Sequence, residues 1–111
     1  MPTHAEKRIL PHTPEQLFDM VAEVERYPEF LPWCIGVRVN DRIDNVIRAD
    51  LMIGFKMVRE KFSSQVTLSA PERIDVVYLD GPFRYLNNHW IFEPRDGGCE
   101  IDFFIDFEFR S

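Results

Sequence analysis

The side chains through which a small chain does chemistry are present here but scattered. His4, His12 and His89 lie far apart, without the His/Glu spacing of a metal site, and no glycine-rich loop precedes a helix to cradle a phosphate. Cys34 and Cys99 stand in no metal-ligand or redox spacing, which reads as two reduced thiols. Asp102 and Asp106 share one face of an alternating run, and that face reads as solvated. A nucleophile with its base, a metal set, a phosphate cradle or a carboxylate pair with a raised pKa would mark an enzyme. The sequence offers none, so it reads as a non-catalytic binding protein that needs no cofactor.

What it offers instead is apolar surface in an unusual place. The run Tyr27-Pro28-Glu29-Phe30-Leu31-Pro32-Trp33-Cys34 interleaves two prolines with large apolar residues directly after an amphipathic segment. Proline fixes its own φ, lacks an N–H and pushes the preceding residue out of the α region, so this is a bent, stiffened connector. Connectors are ordinarily polar. This one carries Phe30, Leu31 and Trp33, which must be covered by the rest of the protein or by a ligand.

The elements around it follow from periodicity. Thr13-Pro14-Glu15-Gln16 is a helix start, with Thr13 at the N-cap, Pro14 at the first position and Gln16 placed for a capping box. Leu17, Phe18, Val21 and Val24 then recur at helical spacing over about three turns, with Pro28 limiting the extension, and a second short turn fits Pro28 to Leu31. Thr3 to Leu10 is a strand candidate. From Ile35 onward the period is two, with Ile47, Ala49, Leu51, Ile53 and Phe55 on one face, followed by Val58, Glu60, Phe62, Ser64, Val66 and Leu68. Ala70-Pro71-Glu72, Asp80-Gly81-Pro82 and Asp96-Gly97-Gly98 break the pattern, the last with the positive-φ residues a hairpin needs. Leu86, Trp90 and Phe92 share a face, and Ile101, Phe103, Ile105, Phe107 and Phe109 form an unbroken apolar stripe.

This order, a strand, a helix with a proline elbow and about six strands, predicts an α+β domain built on a curved antiparallel meander spanning residues 1–111. One short helix cannot cover the apolar face of such a sheet, so a covering element is expected beyond the chain or from another chain. The chain has a formal net charge of -6, which argues against a DNA partner. Arg38, Arg42, Arg48, Lys56, Arg59 and Lys61 nevertheless concentrate in the middle third, where they read as a solvated strand face. No apolar run is long enough to span a bilayer or to serve as a signal peptide, so the expected location is the cytosol.

The Tyr27–Cys34 run, Lys61-Phe62 within a strand, and Asp80-Gly81-Pro82-Phe83 followed by Leu86 and Trp90-Ile91-Phe92 together resemble the coenzyme Q-binding branch of the START superfamily. That branch also carries the label oligoketide cyclase/lipid transport and includes the ribosome association toxin. The resemblance implies a helix-grip fold, in which the sheet grips a C-terminal helix of about 20 residues, about 30 Å long, across an apolar tunnel; this sequence stops before such a helix. It further implies a ligand, an isoprenoid quinone such as ubiquinone or a related lipid, held by Phe30, Leu31, Pro32 and Trp33 at the mouth. Phe55, Phe62, Val66, Leu68, Leu86, Trp90 and Phe92 would line the sheet. Lipid handling implies transient contact with a membrane surface, peripheral to the inner membrane, in support of respiratory electron transfer. The alternatives it implies are binding to the large ribosomal subunit and, more weakly, polyketide cyclisation. The latter would have to draw on Tyr78, Tyr85, Asn88, Glu60 and Arg59 to polarise carbonyls.

Overall fold

A computed structural model describes residues 3–55 and 57–110, with the side chains of Phe30, Phe55 and Val58 outside that description. Seven strands form one antiparallel sheet: β1 (Thr3–Leu10), β2 (Cys34–Ile43), β3 (Val46–Phe55), β4 (Val58–Ser69), β5 (Arg73–Asp80), β6 (Phe83–Arg95) and β7 (Gly98–Phe109). Their order across the sheet is β1-β7-β6-β5-β4-β3-β2. The meander expected from the turns runs from β2 to β7. The strand before the helix closes the far edge against β7, with Thr3 opposite Asp106 and Leu10 opposite Cys99.

The sheet curves because its ladders are interrupted. Register shifts occur at Cys34/Gly36 and Val39/Asp41 in β2, between Tyr78 and Asp80 in β5 opposite Ser63/Ser64, and at Phe83/Tyr85 in β6. Each extra residue bends its strand and resets which side chains face inward. Phe83 shows the consequence. Simple alternation from Leu86 would turn it outward, yet the bulge returns it to the concave side, where it is buried. It centres a ring cluster with Phe62, Tyr78, Phe107 and Phe109 at centroid distances of 5.5, 5.6, 5.4 and 4.8 Å.

Two adjacent glycines have different tasks. Gly97 takes φ 79° in the β6–β7 turn, as the hairpin requires. Gly98 does not share that role, contrary to the reading of the turn as a run of positive-φ residues. It has no side chain because a Cβ there would collide with the Leu10 carbonyl, so it sets how closely β1 docks on β7.

The helical layer lies on the concave side. Helix α1 (Pro14–Ala22) begins as its sequence dictates: Gln16 N–H donates to Thr13 Oγ1 at 3.1 Å and Thr13 N–H donates to Gln16 Oε1 at 2.9 Å. Leu17, Phe18 and Val21 form its buried stripe. It ends well before Pro28. Glu23 leaves helical geometry at φ -81°, ψ 75°, and a 3-10 turn (Val24–Arg26) and helix α2 (Tyr27–Phe30) follow. The break lets both Val24 and Tyr27 enter the core, and the Tyr27 hydroxyl donates to the Val21 carbonyl at 2.7 Å, closing the last turn of α1. Burial pushes the Tyr27 phenol well above its ordinary pKa, with Cys34 adding to the shift, so the group is held as a donor.

Beneath α1 lies the dry core, in which Phe18 meets Phe92 edge-on at 5.8 Å beside Ile74 and Cys99. Phe92, 1% exposed, is therefore core packing. Thr13→Ala should lower the melting temperature by about 4–8 °C, from a loss of about 1 kcal/mol of capping. Phe92→Ala should cost about 3–5 kcal/mol in denaturant unfolding through transfer and cavity terms. A Phe92→Ala loss under about 1 kcal/mol would contradict its placement in the packed core.

Candidate functional site

Beyond the part of the sheet that α1 covers, the concave face does not close on the helical layer. A cavity of about 380 Å³ remains there. One wall is Val24, Tyr27, Leu31 and Trp33 from the helical layer; the other is the sheet, with Leu51, Phe62, Val66, Val76, Leu86, Trp90, Ile101, Phe103 and Ile105. The mouth loop is braced at both ends. Leu31 N–H donates to the Tyr27 carbonyl at 2.8 Å, Cys34 N–H to the Leu31 carbonyl at 3.0 Å, and Gly54 N–H to the Trp33 carbonyl at 2.9 Å. Leu31, held extended at φ -109°, ψ 105° as the residue before a proline must be, turns into the cavity.

Of the residues expected to meet a ligand, Leu31, Trp33, Phe62, Val66, Leu86 and Trp90 are brought together around this space. Three are not. Pro32 is exposed, and its ring holds the preceding Leu31 extended. Leu68 lies past Val66, opposite Ile74, and packs against the core. Phe92 is covered by α1 as described above. Phe30 and Phe55 lie outside the described side chains.

Sequence reasoning missed the contribution of β1. His4, Glu6, Arg8 and Leu10 line the cavity because antiparallel pairing sets them beside Ile105, Phe103, Ile101 and Cys99 on the concave face. Glu6 links the polar three, with Arg8 Nη2 at 3.1 Å and His4 Nε2 at 3.5 Å from its carboxylate. The signal was the even-numbered alternation within Thr3–Leu10, but nothing in the sequence tied that strand to β7. Two further polar groups lie in the sheet wall. Buried Ser64 donates to the Ala49 carbonyl at 3.4 Å, and Asn88 Nδ2 donates to the Phe104 carbonyl at 2.8 Å.

The surroundings do not activate a nucleophile. Both cysteines are free and buried, and burial pushes both thiols up, which disfavours the thiolate. Among the described residues no group of three or more His, Cys, Asp and Glu side chains is gathered as a metal would need. Of the candidate carbonyl-polarising residues, Asn88 lines the cavity. Tyr78 is spent on the ring cluster, its hydroxyl accepting from Phe83 N–H at 3.0 Å. Tyr85 lies opposite Glu108 on the convex face, where burial and then the charges of Asp106 and Glu108 raise its pKa. Arg59 and Glu60 are exposed near the β3–β4 turn. Also on the convex face, His89 stacks on Phe104 at 5.3 Å.

Comparison with known proteins agrees with this geometry. Residues 10–111 match the family described as polyketide cyclase/dehydrase and lipid transport. The chain is 38% identical over 108 residues to the ribosome association toxin RatA of Rickettsia prowazekii, covering 94% of this chain and 74% of that protein. It is 34% identical over 113 residues to the mitochondrial coenzyme Q-binding protein COQ10 homolog B of Xenopus laevis, covering 97% of this chain and 46% of that protein. A START superfamily protein from Mycobacterium smegmatis superposes with a TM-score of 0.85 at 16% identity, covering 98% of this chain and 78% of that one, a likeness of fold. No helix among the described residues is long and apolar enough to cross a membrane. A curved seven-stranded sheet with a few short helices, an apolar cavity on its concave face and the match over residues 10–111 place the chain in the polyketide cyclase/dehydrase and lipid transport family, with ribosome association toxins and coenzyme Q-binding proteins among its relatives.

Proposed function

We propose that the protein binds an isoprenoid quinone or a related lipid in the concave cavity and acts as its carrier or chaperone, without catalysis, in support of respiratory electron transfer. The observation that carries this reading is a cavity of about 380 Å³ with apolar walls and only a few polar groups, all at defined positions. Such a space is at the small end of ligand pockets. It suits a compact head group with the first part of an apolar tail, and the half-buried stripe of Phe103, Ile105 and Phe107 continues beyond it for more of the tail. Burial of a tail there contributes roughly 25 cal/mol per Å². Quinone carbonyls are acceptors, and the donors among the lining residues are the second amide hydrogen of Asn88 and the Arg8 guanidinium. Trp33, 36% exposed on a braced loop, is in reach of both solvent and the cavity.

A second reading, association with the large ribosomal subunit, draws on the relationship to RatA and on exposed Arg38, Arg48, Arg59 and Lys61 on the convex face. Salt-dependent cosedimentation with large subunits would support it. The cyclase reading is weaker, since its candidate residues are dispersed over both faces.

Mass spectrometry of lipids extracted from the purified protein should recover a quinone. Trp33→Ala should lower the retained amount by about tenfold, as expected for losing part of an indole's burial. Recovery of no quinone, or an undiminished amount in Trp33→Ala, would overturn this assignment.

A further inference from the structure

The end of the sheet carrying the β3–β4 turn exposes apolar side chains that the core does not use. Met57, in that turn, is 96% exposed, and Ile35, Met52 and Trp33 are 43%, 36% and 36% exposed. They are neighbours by construction of the ladder. The Trp33 carbonyl is bonded to Gly54 N–H, and Ile35 is the bulged residue between the pairs Cys34–Ile53 and Gly36–Met52. Its side chain lies over Gly54, where an added Cβ would stand 3.0 Å from Ile35 Cδ1. Cations frame this apolar ground: Arg59 is opposite Gly54, Lys61 opposite Met52 and Arg38 opposite Asp50, all three exposed. The acids nearby are Glu60, opposite Ile53, and Asp50. Asp50 is already engaged, its pKa lowered first by the Ser63 hydroxyl at 2.7 Å and less by Lys61 and Arg38.

We propose that this end of the molecule is a docking surface for an anionic bilayer, with Met57, Ile35 and Trp33 entering the acyl boundary and Arg38, Arg59 and Lys61 meeting the lipid phosphates. The inference rests on the lipid-binding reading, because Trp33 belongs both to this patch and to the cavity mouth. Docking there opens the mouth directly onto the source of the ligand. Cations grouped at one end of a chain of net charge -6 favour approach to an anionic surface by that end. Interleaved apolar side chains favour a bilayer over RNA as the partner. A methionine and an isoleucine held out in water gain burial at an acyl boundary and nothing at a phosphate backbone.

The test is flotation of the purified protein with phosphatidylcholine vesicles, with and without phosphatidylglycerol, at low and high salt. The protein should float with the phosphatidylglycerol-containing vesicles and be released by salt. Arg59→Glu/Lys61→Glu should weaken binding by about tenfold or more, and Met57→Ser/Ile35→Ser by several-fold. Melting temperature and retained quinone should stay unchanged in both, since none of these four side chains lines the cavity. Retained quinone with no vesicle binding would overturn the docking surface alone. Vesicle binding that both double variants leave intact would also overturn it. Loss of ribosomal cosedimentation in Arg59→Glu/Lys61→Glu, without vesicle binding in the parent, would reassign the patch to RNA. Vesicle binding with the expected sensitivity but no recoverable quinone would support the docking surface and count against the quinone assignment.

Discussion

A seven-stranded sheet with one apolar face has to keep that face out of water, and the helical layer described here is too small to do it. Helix α1, nine residues long, covers the portion around Ile74, Phe92 and Cys99 and makes it a dry core. Past that portion the 3-10 turn, α2 and the proline-stiffened loop stand off from the sheet and leave a cavity. The same deficit of cover that would be a liability in a plain structural domain becomes a binding space when an apolar ligand completes it. In the proposed reading, fold stability and ligand binding draw on one surface, divided between the part that α1 seals and the part that lines the cavity.

The division depends on where the first helix stops. An uninterrupted helix through Tyr27 would extend the dry core at the expense of the cavity. Instead Glu23 breaks the helix, Val24 and Tyr27 turn inward, and the Tyr27 hydroxyl satisfies the Val21 carbonyl that the break exposes. Three backbone hydrogen bonds then hold the Leu31–Cys34 loop against α2 and the end of β3. The loop is therefore a fixed rim, and the partly exposed Trp33 side chain lines the cavity beside it. On the opposite rim, β1 contributes the linked His4, Glu6 and Arg8, so the cavity runs from a charged edge to an aromatic one.

Much of this architecture was legible in the sequence because local signals were strong and mutually consistent. The capping box at Thr13, the period-two runs of β3, β4 and β7, and the turns at Pro71, Gly81 and Gly97 each specify their element through a local cause. What was illegible depended on non-local pairing. Nothing in Thr3–Leu10 announces that it will join β7, so its polar residues were not foreseen as cavity lining. The bulge at Phe83/Tyr85 hid Phe83, since it reverses the parity on which a face assignment rests. Phe92 and Leu68, which the resemblance implies as ligand contacts, do share a face with Trp90 and Val66. Alternation reports which face a residue is on, but not whether a helix already covers it.

The central claim is that the concave cavity holds the ligand, and the chain carries its own reporters. It has two tryptophans, Trp33 and Trp90, and both line the cavity. Titration with a short-chain ubiquinone, read by tryptophan fluorescence against free N-acetyltryptophanamide, tests the claim most directly. The account predicts saturable quenching at one site, well beyond that of the free indole, and less of it in Trp33→Phe. Quenching that matches the free indole and never saturates would contradict it.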